Sequence, residues 1–72
     1  MLRVKKECLK YLIKLFNKKE LFYSEIIKFK NGFDAILYSE ELVKKLQSLL
    51  KKSIITCNVY HQDKLIADIF LD

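Results

Sequence analysis

The chain has no proline or tryptophan, and Gly32 is the only glycine among its 72 residues. Phosphate-cradling loops and dinucleotide fingerprints need clustered glycines, so neither is encoded. Histidine occurs once, at His61, and cysteine twice, at Cys8 and Cys57, with no CxxC pair. That inventory lacks the ligand spacing of a transition-metal site, and no cofactor or metal is expected. Arginine occurs once, at Arg3, so bidentate reading of guanine is not available. No apolar run approaches the roughly 20 residues that cross a bilayer. Lys5, Lys6, Lys10 and Lys14 interrupt the N-terminal stretch, so no secretion-signal core forms. A reduced, cytoplasmic setting is the expectation. Without converging acid, base and nucleophile candidates, no enzyme is expected either, and no catalytic residue is assigned.

What the chain does contain is apolar mass and lysine. Hydrophobic residues make up 51% of it, with five Phe and four Tyr, enough for one small folded domain spanning 1–72. The net charge of +5 is unevenly spread. Residues 1–30 hold nine Lys/Arg against three Glu, a balance of +6; residues 31–72 hold five Lys against six Asp/Glu, a balance of −1. Such asymmetry bears on partners, and favours a polyanion or an acidic protein surface.

Helical periodicity predicts a first helix from Val4 to about Lys18. Val4, Cys8, Tyr11, Leu12, Leu15 and Phe16 fall on one side, and Leu9 and Ile13 widen the arc. Lys6, Lys10, Lys14 and Lys18 form a ridge opposite. Within Leu21–Phe29 a short second helix is expected, capped by Ser24, with a rival in which Phe22–Phe29 pairs with Phe33–Tyr38 across Asn31-Gly32. Ser39 to Lys52 reads as a third helix, with Ser39 as N-cap and Leu42, Val43, Leu46, Leu49 and Leu50 as its apolar stripe. Two alternating strands follow, Ile54–Tyr60 and Leu65–Leu71, joined by His61–Lys64.

The expected fold class is therefore α+β: three helices, then a C-terminal β-hairpin. That order resembles a minimal winged helix-turn-helix domain. The resemblance is topological and spans Val4 to Leu71. It implies that Ser39–Lys52 occupies the recognition-helix position and His61–Lys64 the wing tip. On that reading Lys44, Lys45, Lys51 and Lys64, with Lys10 and Lys14, contact phosphates of double-stranded DNA or another polyanion. Gln47 and Ser48 are the groups suited to base edges. A regulatory, dimeric DNA-binding protein is the function so implied.

The competing expectation is a protein-interaction module or inhibitor docking on an acidic partner. It would use Leu9 and Ile13 on the first helix together with Tyr60, Ile66 and Phe70 on the hairpin. Leu9 and Ile13 are also the expected homodimer contact.

Overall fold

A computed structural model describes residues 9–71. Its elements are β1 (Leu9–Asn17), β2 (Glu20–Phe29), α1 (Gly32–Leu49), β3 (Ile55–His61) and β4 (Lys64–Phe70). The four strands form one antiparallel sheet in the order β2-β1-β3-β4, with α1 lying across one face. This ββαββ arrangement replaces the expected winged helix. One helix stands where three were expected, and the first two expected helices are the first hairpin.

The segment Leu9–Asn17 satisfies two periods at once. Tyr11, Ile13 and Leu15 alternate with Lys10, Leu12, Lys14 and Phe16, while the same letters also fill a broad helical arc. Pairing on both sides decides the matter. β1 is bonded to β2 along its whole length and to β3 from Leu12 to Asn17, and tertiary pairing of that extent outweighs local propensity. The start of the expected helix, Val4–Cys8, lies outside the described residues.

The turn between β1 and β2 is Lys18-Lys19, with φ of 51° and 72°. Two consecutive left-handed residues are the pattern of a type I′ hairpin turn, usually written with Asn and Gly. Two lysines give no such signal. Gln62-Asp63, with φ of 52° and 65°, makes the equivalent turn between β3 and β4.

Asn31-Gly32, read as a turn, instead starts the helix. The Asn31 side chain accepts a hydrogen bond from the Asp34 N–H at 2.9 Å, and Asp34 sits in the first turn where the helix dipole favours an anion. The helix therefore begins seven residues before Ser39. Ser39 is buried in its interior, and its hydroxyl donates to the Ala35 carbonyl at 2.8 Å. Ala35, Ser39 and Val43, spaced by four, form the line along which α1 meets the sheet. Small residues there let the helix sit close.

Tyr11, Ile13 and Leu15 of β1, Ile55, Cys57 and Val59 of β3, and Ile69 of β4 complete the core under α1. On β3 the hairpin follows the sequence-based expectation, with Ile55, Cys57 and Val59 on the inner face, whereas on β4 Leu65, whose alternation with Ala67 and Ile69 predicts an inward position, lies on the open face opposite Tyr60. Burial pushes the Cys57 thiol above its ordinary pKa, partly offset by the neighbouring Ser39 hydroxyl. Such a thiol is a core residue, not a nucleophile.

The helix end is fastened by one side chain. Gln47 accepts from the Ile55 N–H at 2.9 Å and donates to the Ser53 carbonyl, closing the α1–β3 connection over itself. Asn17 reaches the same connection from β1, donating to the Ser53 hydroxyl at 3.1 Å.

Candidate interaction surface

The helix covers one face of the sheet, and among the described residues nothing covers the other. Strand register arranges that open face in rows across the four strands. One row is Leu21, Phe16, Thr56 and Phe70. The next is Ser24, Lys14, Asn58 and Asp68, and the third is Ile26, Leu12, Tyr60 and Leu65. Lys28 and Lys10 are paired beyond the third row. Two apolar bands thus flank a polar one, with a basic margin at one end.

These side chains are large and open to solvent. Ile26 is 68% exposed and Phe70 60%, with Leu21 and Leu65 above half. On the central strands Leu12, Phe16 and Tyr60 are half-buried by their neighbours. Lys14 lies 5.1 Å from the centre of the Tyr60 ring, a cation–π contact that holds both side chains over the middle of the sheet. With its amide nitrogen turned toward Asp68, Asn58 donates to Oδ1 at 3.0 Å and to the Cys57 carbonyl at 3.2 Å. That orientation satisfies both ends of the amide.

A second feature lies on the helix side. α1 packs over β3 and β4 and leaves the inner side of β2 partly bare. The resulting groove, about 310 Å³, is lined by Leu15, Phe22, Tyr23, Glu25, Tyr38, Leu42 and Leu46. The Glu25 carboxylate accepts from the Tyr38 hydroxyl at 2.8 Å on one oxygen and from the Tyr23 hydroxyl at 2.9 Å on the other. Those hydrogen bonds are the main reason both phenols hold their protons more tightly than usual. Tyr38 is pushed up to about 12, with burial adding to the effect, and Tyr23 is raised in the same direction.

The residues assigned to nucleic acid do not converge. Lys44, Lys45 and Ser48 are exposed on α1, whereas Lys10 and Lys14 lie on β1 with Lys14 on the opposite face of the sheet. One duplex cannot touch both. Lys44 is 3.8 Å from Glu41 on its own helix. Gln47, cast as a base reader, is engaged by the backbone of the following connection. Lys51 is in the α1–β3 connection and Lys64 begins β4. With neither a recognition helix nor a wing, the DNA-binding and transcriptional reading is overturned.

The expected protein contacts are also redistributed. Ile13 is fully buried, so the Leu9–Ile13 dimer contact does not exist, although Leu9 is exposed at the start of β1. Docking on an acidic partner through that helix falls with it. A register shift between Val59 and Tyr60 makes Ile66 the unpaired residue of β4; its side chain lies on the helix side near Gly32 at the start of α1, yet is still 39% exposed. His61 stacks on Tyr11 with ring centres 4.8 Å apart. Tyr60 and Phe70 do lie on the open face. Leu12, Phe16, Leu21, Ile26 and Leu65 belong with them; alternation marks Leu12 and Phe16 beneath the competing helical period, whereas Leu21 and Leu65 reach this face through register shifts that strand parity does not show. Among the described residues no cluster of His, Cys, Asp and Glu could hold a metal ion, and no helix is long and apolar enough to cross a membrane. No family model, curated protein or solved structure matches the chain.

Proposed function

We propose that this chain is a self-associating domain in which two copies pack open sheet face to open sheet face. The observation that carries the reading is the row pattern. A twofold axis parallel to the strands, running between β1 and β3, exchanges β1 with β3 and β2 with β4. Every residue keeps its height along the strands, so each apolar row meets an apolar row. The polar row meets itself, bringing Lys14 over Asn58 of the second copy and beside its Asp68. Lys10 and Lys28 come to the end that carries Asp63. Aligned sheet packing of this kind is a standard way to bury such a face.

The three rows span about 20 Å across the strands and about 20 Å along them. A patch of about 400 Å² is roughly half the area per partner of a standard stable interface, so a dissociation constant no tighter than the micromolar range is expected. Sedimentation equilibrium from about 5 to about 500 μM tests this. Ile26→Glu and Phe70→Glu each put a charge into an apolar row and should weaken the dimer at least about tenfold. Asp68→Lys should weaken it through repulsion with Lys14, and adding Lys14→Asp in the same chain should restore it. A wild-type protein still monomeric at 500 μM, or a dimer indifferent to Ile26→Glu and Phe70→Glu, would overturn the reading.

A further inference from the structure

The groove between β2 and α1 lies on the far side of the sheet from the open face and is independent of any association there. Its walls are apolar: Leu15, Leu42, Leu46 and Phe22 supply most of the lining, and the groove is deep enough to reach Leu15, a core residue. The one charged side chain lining it is Glu25. Among the described residues the only ion pair is that of Lys44 with Glu41, and Glu25 has no cationic partner among them. Its register partner Ile13 is buried, and the lysines next along β1 and β2, Lys14 and Lys28, sit in register positions of the opposite face. Lys44 and Lys45 line the neighbouring depression with Tyr38, not the groove itself.

The half-buried Glu25 carboxylate has two phenols as its described partners and keeps its negative charge at the mouth of an apolar groove, where a cation can meet it. Each Glu25 oxygen uses one acceptor position for a phenol and keeps another. The Tyr23 and Tyr38 hydroxyls donate to Glu25 and each oxygen has lone pairs with which it can also accept. Four oxygens therefore crowd one end of the groove as acceptors, beside two aromatic rings. An ammonium group has three donors, is drawn to aromatic faces, and fits that end; an alkyl stem fits the leucines behind it.

We infer that the β2–α1 groove binds a small primary alkylammonium compound, with its cation on Glu25, Tyr23 and Tyr38 and its apolar stem along Leu42 and Leu46. The chain is titrated with hexylamine and followed by amide chemical shifts in nitrogen-15-labelled protein. Saturable shifts at Tyr23, Glu25, Tyr38, Leu42 and Leu46 are expected, with a dissociation constant on the order of millimolar for so few atoms. Hexanol and hexanoate should bind at least about tenfold more weakly, and Glu25→Gln should cost hexylamine a similar factor. Should the Gln variant lose its native spectrum, Leu42→Lys, which places an ammonium of its own in the groove, should abolish the shifts instead. Equal binding of hexanol, undiminished binding to Glu25→Gln, or no saturable shift would overturn the site.

Discussion

The two faces of the sheet are built from the same strands and meet different fates. On the helix side, Ile13, Leu15, Cys57 and Val59 are sealed beneath Ala35, Ser39 and Val43. One residue along each strand, Leu12, Phe16, Tyr60 and Phe70 face outward with comparable apolar bulk. An ordinary half-covered antiparallel sheet reads apolar-in and polar-out. Here the outward face is polar in one row of three. The first face explains why the chain folds, and the second leaves large apolar side chains open to solvent.

Substitutions that treat neighbours differently expose this contrast. Ile13→Ala should cost about 2–5 kcal/mol by leaving a cavity under the helix, whereas Leu12→Ala, one residue away on the open face, should cost less than half as much at concentrations where the protein is monomeric. Urea denaturation of both variants checks the ratio, and equal losses would mean that the open face is already covered. Gln47→Ala should cost about 1–3 kcal/mol, because it strands the Ile55 N–H and loosens the α1–β3 connection. Replacing Lys18-Lys19 by Asn-Gly should stabilise by about 0.4–1 kcal/mol, since those residues suit two consecutive left-handed positions better than lysine does.

The smallest effect is one of titration. Tyr38 ionises near 12 in the folded chain against an ordinary 10, so the Tyr38–Glu25 contribution is complete below pH 10 and fades as pH rises from 10 to 12. Ultraviolet difference titration of Glu25→Gln should move Tyr38 back toward its ordinary value.

The C-terminal hairpin was legible because Ile55, Cys57 and Val59 alternate without a competing helical reading. The first hairpin was not. Leu12 and Phe16 are apolar on the open face, which fills the gaps in the alternation and converts a period of two into an arc of a helix. Its turn is made by two lysines held in a conformation usually left to glycine or asparagine. Ser39, followed by Glu40 and Glu41, has the letters of a helix start, yet Asn31 takes that role. Among the site residues, Tyr60 and Phe70 were visible from strand parity alone. Ile66 was misassigned because a bulge breaks that parity.

Strand order carries a kinetic consequence. β1–β2 and β3–β4 each close across two residues, while β1 and β3 meet only after α1 has been traversed. The central seam is therefore the contact with the largest chain-closure entropy, and it belongs to the rate-limiting event of folding. Stabilising either local hairpin turn should therefore raise the folding rate, as should strengthening the Leu15–Cys57 pairing of the seam.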